Sequence, residues 1–490
     1  MTGALSFEHS TLYANAESLR LELAERLTEW DRNRGLDATA LLDAADLDLI
    51  GIEVPKYLGG LGFGFRQKVQ VAKILSRSSM AFAFSLINTQ NVTSRLAEAG
   101  GTTHKRDLLP ELLAGRRVGS TALTEPGAGS DFAAIATTAQ QTNDGWILNG
   151  EKAWITNAAI SDVIICYAQT EPGSGGRGIA SFVVDAKRSG FERLAPYELT
   201  GGHIIGTGRF RLDNYRAANE DLLTEPGDGF RSAMSSVNGA RIYVAAMCCA
   251  MVHSALGIAA EYGSRRTTFG KTLLEHQGLA WSLASVANQL EAAQLLTERA
   301  IDALESGEIS EVILAAAHAK KFATEMAEPA IAACIQAMGA EGLRDHYPLG
   351  RHLADARLAN FVDGSTEIQT ERIARSLATS YRSPVFEYPE PGPATLVSSQ
   401  PLDEGPMPAE SDDLVPVEAE GPEPAESEDP VPAESDDPVS IRAEDPEPVQ
   451  AQDPVPIRAV PPLPPETERT LETAPELPPL PPESLRTDQA

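Results

Sequence analysis

The sequence predicts a mainly helical α+β fold in three parts, followed by a disordered tail. Apolar residues recur three and four positions apart in two long regions, from about residue 15 to 118 and from 229 to 381, a spacing typical of helices that pack along one face. Between them lie short β-rich runs separated by Gly, Asn and Asp, which indicate strands. After residue 382 proline and acidic residues dominate, a composition that does not support a packed core.

The first part, residues 1–118, is predicted to be an N-terminal helical domain. Leu19, Leu23 and Leu27 repeat at four-residue spacing, as the residues on one face of a helix do. The segment EVPKYLGGLGFG at residues 53–64 interrupts the periodicity with a proline and several glycines. We therefore expect a loop there, between two groups of helices.

The second part, residues 119–226, is predicted to be a small β-barrel or β-sandwich domain. Four runs carry the prediction: GWILNG at 145–150, AWITN at 153–157, DVIICYAQ at 162–169 and IASFVVD at 179–185. They are short and bounded by turn-forming residues. Because no run alternates with a long helix, a Rossmann unit is not expected.

The third part, residues 227–382, is predicted to be a four-helix bundle. Four long helical stretches cover roughly 229–265, 277–306, 310–339 and 350–381, separated by RTTFGK, ESGE and GAEGLRDHYP. Short connections between long helices favour antiparallel packing of neighbours.

The last part, residues 383–490, is predicted to be a disordered, acidic, proline-rich tail. It holds 26 of the 34 prolines and 26 acidic residues against four arginines and no lysine. Ordering such a chain would cost more entropy than its few apolar residues could return by burial. We interpret it as a solvating spacer. The alternative is a docking segment such as PPLPP at 461–465.

Charge and cysteine content exclude several classes of protein. The net charge is −30, of which the tail carries −22, so neither a general nucleic-acid binder nor a binder of anionic membranes is expected. No signal peptide is expected from the N-terminal residues, and the longest apolar run, 242–252, is too short to cross a bilayer. A cytoplasmic location is the expectation. The four cysteines include no CxxC pair, so neither a disulfide framework nor a metal site is expected: Cys166, Cys248, Cys249 and Cys334.

Two segments of the β domain could carry chemistry. LTEPGAGSD at 123–131 is a glycine-rich turn whose amides and hydroxyls could approach a phosphate or a planar cofactor closely. EKAWITNA follows at 151–158, and Trp154 on it could stack on a flat ring. The alternatives are an ordinary turn and a core tryptophan.

Six motifs in order show that the chain resembles the acyl-CoA dehydrogenase family over nearly all of residues 15–382. They are VPKYLGGLG (54–62), ALTEPGAGSD (122–131), NGEKAWITNA (149–158), SRRTTFGKTLLEHQ (264–277), IQAMGAEG (335–342) and FVDGSTEIQTERIAR (361–375). The resemblance does not extend to the tail. It implies FAD bound between the β domain and the bundle, in a homotetramer or homodimer whose second subunit completes the site.

The resemblance also implies roles for individual residues. Flavin contacts are implied at Leu123, Thr124, Gly129, Ser130, Trp154 and Thr156. Contacts to the pyrophosphate and adenosine, some from a second subunit, are implied at Arg266, Phe269, Gln277, Gln336, Gly339, Gly364, Thr366 and Glu367. An arginine suits a pyrophosphate because its planar cation can donate two parallel hydrogen bonds.

The implied reaction removes two hydrogens across Cα–Cβ of an acyl thioester, carried on coenzyme A or on a carrier protein. A carboxylate takes the α-proton, and the resemblance puts Asp363 at that position, with Ser130, Arg241 and Val362 against the substrate. The implied electron acceptor is an electron-transfer flavoprotein or oxygen.

At the base position the sequence departs from the family pattern, which usually reads Tyr-Glu where this chain reads Val362-Asp363. Aspartate is one methylene shorter and reaches about 1.5 Å less far. Three alternatives stay open: a reshaped pocket, a substrate whose acidic proton lies elsewhere, or loss of the base. The other position used in the family for a base is Ala240 here. Two lesser departures are Ala340 after Gly339 and His203 in place of an arginine.

Three functions therefore compete. The flavin motifs and the retained acid favour an FAD-dependent acyl thioester dehydrogenase that acts on a specialised or biosynthetic substrate. A flavin monooxygenase of the same fold would need no α-proton base. A catalytically idle scaffold acting through the acidic tail is disfavoured by the intact flavin motifs.

Overall fold

The computed structural model describes residues 7–35 and 39–381. The predicted disordered tail, residues 383–490, lies outside the described residues. The described part is mostly helical with a central sheet domain, which confirms the predicted fold class.

Five helices form the N-terminal part: α1 (Phe7–Asn33), α2 (Thr39–Asp46), α3 (Phe65–Ser76), α4 (Met80–Ala99) and α5 (Leu109–Leu113). Helix α4 begins where Ser79 accepts a hydrogen bond from the backbone N–H of Phe82 at 3.1 Å. It is buried on nearly all sides over its first half because it lies between the bundle and the sheet. The segment 53–64 is a loop with one 3₁₀ turn at Lys56–Leu58, as its proline and glycines predict.

Eight strands follow: β1 (Gly119–Ala122), β2 (Thr138–Thr142), β3 (Gly145–Ile155), β4 (Val163–Gln169), β5 (Ile179–Asp185), β6 (Phe191–Arg193), β7 (Gly208–Ala217) and β8 (Leu222–Thr224). Their order is β6-β7-β3-β2-β4-β5-β8, with β1 parallel to β4. The halves of the sheet share one core, in which Trp146 of β3 meets Phe182 of β5 edge to face at 5.4 Å.

Strands β4 and β5 bury both of their faces. One face lines the core of the sheet, and the other packs Val163, Ile165 and Val183 against Val92 and Leu96 of helix α4. The turn that leaves β1, and the strand β3 behind it, are therefore held against the helical body of the molecule.

The C-terminal part contains α6 (Asp228–Arg265), a small hairpin of β9 (Thr267–Thr268) and β10 (Lys271–Thr272), α7 (Gln277–Ser306), α8 (Ile309–Met338), α9 (Leu349–Ala359) and α10 (Thr366–Ser380). The first three predicted stretches match α6, α7 and α8. The fourth, predicted as one helix over 350–381, is instead two helices. The break lies where Asp363 and Gly364 have φ of +53° and +91°, a left-handed backbone that ends a right-handed helix.

Helix α6 is the central helix of the bundle. Among the described helices it alone has the length and hydropathy of a membrane span, and 72% of its most apolar 18-residue window is buried inside the protein. The helix packs against α3, α7, α8 and α9, so its apolar surface serves the core of this fold.

A buried acid on α9 joins the three parts of the protein. Asp355 accepts a hydrogen bond from the backbone N–H of Gly202 at 3.0 Å, and burial raises the pKa of its carboxyl to about 7. Nearby, burial lowers the pKa of His352 to about 3. The first group favours folding at low pH and the second at high pH, because each is held neutral in the folded state.

We expect Asp355→Asn to flatten the pH dependence of stability between about pH 4 and pH 7. The folded-state pKa is raised above the unfolded value, so the wild-type protein loses free energy of unfolding as pH rises through this window. Asparagine keeps the acceptor for Gly202 and never ionises. Between pH 4 and pH 8 the variant should lose on the order of 3 kcal/mol less free energy of unfolding than wild type. Urea unfolding from pH 5 to 8 measures this, and an unchanged slope would contradict it.

Candidate active site

The turn between α9 and α10 is held by three side chains from three helices. Arg241 of α6 donates from Nε to the backbone carbonyl of Asp363 at 3.1 Å. Lys320 of α8 and Gln369 of α10 donate to the carbonyl of Gly364 at 2.8 and 2.9 Å. At residue 364 only glycine suits the turn, since φ is +91° and a Cβ would come within 3.1 Å of both Gln369 Nε2 and Arg241 Nη2.

Asp363 is a half-buried acid near two buried cations, Lys320 and Arg241. Its Oδ2 is inaccessible to solvent and has no hydrogen-bond partner within residues 7–35 and 39–381. Burial raises the pKa of Asp363 to about 6, although the positive charges of Lys320 and Arg241 oppose that rise. Burial also lowers the pKa of Lys320 to about 8 and that of Arg241 to about 10. A carboxylate with an unused lone pair and this pKa can accept a proton near neutral pH.

A cleft of about 790 Å³ leads toward this turn. Its walls come from the β4–β5 loop, the start of α6, the end of α7 and the start of α8, and include Arg177, Phe230, Met234 and Val312. At the inner end Asn238 Oδ1 accepts from Arg241 Nη1 at 2.7 Å. Since Arg241 also donates to the backbone carbonyl of Asp363, two hydrogen bonds link the cleft to the turn that carries the carboxylate.

The glycine-rich turn after β1 is fixed by a buried ion pair. Glu125 accepts from Lys152 Nζ at 2.7 Å and from the backbone N–H groups of Ala136 and Thr137 at 2.6 and 3.0 Å. Lys152, fully buried on β3, also donates to the carbonyl of Leu123 at 3.0 Å. The ion pair thus holds the two ends of the turn, at Leu123 and at Ala136–Thr137, against strand β3, which carries Trp154.

The outer side of this turn fits a flat cofactor with polar edges. Trp154 has a φ of +60°, is 56% exposed and stacks on Tyr197 with a centroid distance of 4.3 Å. The side chains of Thr124, Ser130 and Thr156 make no hydrogen bond to any other residue that the structure describes, so their hydroxyls are available. A Cβ at Gly129 would meet only a methyl of Thr124, at 3.9 Å. An open aromatic face beside free hydroxyls suits the isoalloxazine and ribityl parts of FAD.

The structure separates the predicted adenosine-binding residues from Asp363. Arg266, Phe269 and Gln277 lie on and beside the β9–β10 hairpin, beyond the far end of α6 from Arg241. The 25 residues from Arg241 to Arg266 follow helix α6 and span about 37 Å. Gln336 and Gly339 lie at the end of α8, about 24 Å along that helix from Lys320. Only Gly364, Thr366 and Glu367, with Val362, adjoin Asp363. Within one chain the two groups do not form one site.

Other residues at the site were missed by the sequence analysis. Glu125, Lys152, Lys320 and Asn238 carry no local signal, because a buried lysine or carboxylate looks like a surface one in a sequence. His203 lies half-buried in the 3₁₀ turn His203–Ile205, and burial lowers its pKa; it does not line the cleft.

Comparisons with known proteins match nearly all of the described residues. Three family models match: the N-terminal, middle and C-terminal domains of acyl-CoA dehydrogenase, over residues 8–116, 120–215 and 227–378. The short-chain specific acyl-CoA dehydrogenase of Sus scrofa mitochondria is 32% identical over 363 residues, 74% of this chain and 88% of that protein.

Solved structures give the same result. Butyryl-CoA dehydrogenase from Megasphaera elsdenii has a TM-score of 0.72 at 28% identity, covering 77% of this chain and all of that one. A chain in the structure of the electron transferring flavoprotein of Acidaminococcus fermentans has a TM-score of 0.73 at 27% identity, with coverage of 77% and 100%.

Proposed function

Because the chain belongs to the acyl-CoA dehydrogenase family of FAD-dependent oxidoreductases, we propose that it desaturates an acyl thioester between Cα and Cβ, with Asp363 as the base for the α-proton. The observation that carries this proposal is the half-buried carboxylate of Asp363, whose Oδ2 has no partner among the described residues and which feels the charges of Arg241 and Lys320. A scaffold or an oxygenase needs no ionisable carboxylate at this position.

Each residue of the proposed site has a separate role in the reaction. The Asp363 carboxylate accepts the α-proton, which the neighbouring thioester carbonyl makes acidic. Arg241 and Lys320 hold the turn through its backbone carbonyls, so the carboxylate keeps its direction while its own lone pairs stay free. The hydroxyls of Thr124, Ser130 and Thr156, with the ring of Trp154, would hold the cofactor. When bound, FAD supplies the acceptor for the hydride that leaves Cβ.

The shorter acid changes the required geometry. Aspartate reaches about 1.5 Å less far than glutamate, and an error of about 1 Å in a reacting pair can cost about a hundredfold in rate. The acid lies in a turn, where the backbone itself can approach the substrate, and not on the final helix as the sequence analysis assumed. A thioester held closer to α10 than a glutamate would allow is therefore part of the proposal, and it favours a specialised substrate.

The cleft supplies a path for the carrier arm of the thioester. Its walls are largely apolar, and Arg177 and Arg231 lie among its lining residues. An arm of coenzyme A or of a carrier protein that enters here would end beside Asn238, at the start of the hydrogen-bond path to Asp363. Asn238 could also meet an amide of the arm.

A homo-oligomer completes the proposed cofactor site. Arg266, Phe269 and Gln277 lie at the far end of α6 from Asp363, so a second subunit is needed to bring them to the same cofactor. Exposed apolar side chains support such contacts: Phe269 is 93% exposed, and others include Trp281, Leu343, Phe361 and Leu377. As electron acceptor we propose an electron-transfer flavoprotein, with oxygen as the alternative. The relationship to the family supports the first.

Anaerobic mixing with a panel of acyl thioesters tests the proposed function. We expect the flavin absorbance of the purified protein to bleach with at least one thioester and without any added reductant. Absence of bleaching with every thioester, together with oxygen consumption on addition of a reductant, would contradict dehydrogenation and support oxygenation.

The rate of bleaching should depend on pH through Asp363. A base must be ionised, so we expect the rate to rise with pH around a midpoint of about 6. Lys320→Met removes a cation that opposes the rise in pKa and should move this midpoint upward by about one unit. Lys321→Met is the matched control, since Lys321 pairs with Glu325 at the surface. Equal midpoints in all three proteins would contradict the assignment.

A further inference from the structure

A buried polar cluster lies where the 53–64 loop, α3, α4 and α6 meet. We call it the Tyr243 cluster: Glu53, Lys68, Asn91 and Tyr243. Lys68 Nζ contacts a carboxylate oxygen of Glu53 and donates to Asn91 Oδ1 at 3.1 Å. Asn91 Nδ2 donates to the hydroxyl of Tyr243 at 3.3 Å. Lys68 and Tyr243 are both buried, so these groups depend on one another for hydrogen bonds.

The direction of these hydrogen bonds leaves the hydroxyl proton of Tyr243 without an acceptor in the cluster. An ammonium group can only donate, so the oxygen of the Asn91 amide must face Lys68 and its nitrogen must face Tyr243. The Tyr243 oxygen is therefore an acceptor, and no hydrogen bond that it donates occurs within the described ranges. Burial and the negative charge of Asp363 raise the pKa of Tyr243 well above its usual value, so the phenol stays protonated. It is a buried donor without an acceptor.

The Tyr243 cluster lies close enough to Asp363 for the charge of that carboxylate to act on the Tyr243 phenol. Along α6, Asn238 lines the cleft, Arg241 holds the turn of Asp363, and Tyr243 lies two residues beyond Arg241. Aromatic rings close the space behind it. Phe84 meets Tyr243 edge to face at 6.2 Å, and Lys68 lies 5.2 Å over the ring of Phe65. An acyl chain that continued from Asp363 toward Tyr243 would meet these polar groups and, behind them, the aromatic rings.

We propose that the Tyr243 cluster forms the end wall of the acyl site and selects a short, uncharged acyl group with a hydrogen-bond acceptor beyond Cβ. The proposal rests on the proposed function. Shortness follows from the closed aromatic wall, and the acceptor follows from the unused phenol proton. The acyl group is uncharged because Glu53 already balances Lys68, so an added carboxylate would lie buried without its own partner.

Two comparisons of coenzyme A thioesters separate these features. In an open apolar site each added methylene would tighten binding by about fourfold; the closed wall predicts that octanoyl-CoA binds at least about tenfold more weakly than butyryl-CoA. Between chains of equal length, 4-oxopentanoyl-CoA should bind about tenfold more tightly than pentanoyl-CoA, because its ketone accepts from Tyr243. Glutaryl-CoA, which ends in a carboxylate, should bind more weakly than either.

The experiment measures dissociation constants by calorimetry on holoprotein carrying Asp363→Asn, in which bound thioester is not consumed. Adding Tyr243→Phe should remove the preference for 4-oxopentanoyl-CoA and leave the affinity for pentanoyl-CoA within about twofold. Tyr262→Phe on the same helix is the matched control and should change neither. Flavin bleaching by the same thioesters is recorded in parallel on protein with Asp363 intact.

The outcomes distinguish a failure of this inference from a failure of the proposed function. If thioesters bleach the flavin but octanoyl-CoA binds as well as butyryl-CoA, or Tyr243→Phe leaves the preference intact, the inference is wrong and the function stands. If glutaryl-CoA binds most tightly, the wall selects a charged acyl group and the inference is again wrong. If no thioester binds or bleaches, both fail together.

Discussion

Replacing Asp363 with asparagine is expected to slow anaerobic flavin bleaching by acyl thioester by about a hundredfold to ten-thousandfold, the usual contribution of a general base. The amide has the same shape but cannot take the α-proton. FAD content should be unchanged, because the turn is held through the backbone carbonyls of residues 363 and 364 and not through the carboxylate. Asparagine also tolerates the left-handed backbone at φ +53°. Stopped-flow absorbance at saturating thioester measures the rate.

Asp355→Asn provides the matched control for this experiment. Asp355 is also a buried acid with one unpartnered oxygen among the described residues, but it faces the junction with Gly202 and not the cleft. Its variant should bleach at the wild-type rate. If Asp363→Asn bleaches as fast as wild type, Asp363 is not the base, and the departure from glutamate marks a lost function.

Replacing Glu125 with alanine is expected to lower the free energy of unfolding by about 3 to 5 kcal/mol and to release FAD, because it leaves the buried Lys152 ammonium unpaired. Two backbone N–H groups, of Ala136 and Thr137, also lose their acceptor. The turn at 123–131 should then lose its position. Urea unfolding and the ratio of flavin to protein absorbance measure the two effects.

A double variant and a surface control make this result specific. Glu125→Leu with Lys152→Met removes both charges together and should recover part of the stability lost in Glu125→Ala. Glu371→Ala breaks an exposed pair with Arg375 and should cost less than about 1 kcal/mol. If Glu125→Ala retains FAD and loses less than 1 kcal/mol, the ion pair does not fix the turn.

The helices of the bundle could be predicted from the sequence because their periodicity is long and their breaks contain glycine. The prediction of 277–306 coincides with α7, and 229–265 differs from α6 by one residue. The strands of the sheet were harder to predict from the sequence. The runs at 145–150 and 153–157 are one strand, β3, whose pairing is irregular near Gly150. Strand β7 was missed because its outward side chains are charged, so its sequence GRFRLDNYRA resembles a loop.

The candidate site was only partly predictable. Asp363 was found from its motif, but the Asp-Gly turn signal was overlooked inside an otherwise helical pattern, so the residue was assigned to a helix. The surroundings that set its pKa come from Lys320 and Arg241, which lie 43 and 122 residues away in the chain. Long-range pairing of buried charges depends on the tertiary structure and leaves no periodic trace in the sequence.

The central claim, that Asp363 removes the α-proton of a bound thioester, is tested most directly by proton exchange. Methylthioacetyl-CoA has sulfur at its β position and so has no β-hydride to lose, which isolates the step at Cα. In D₂O, proton NMR should show the wild-type holoprotein replacing the α-hydrogens with deuterium, and Asp363→Asn doing so at least about a hundredfold more slowly. Exchange at the same rate in both proteins, or in neither, would contradict the account.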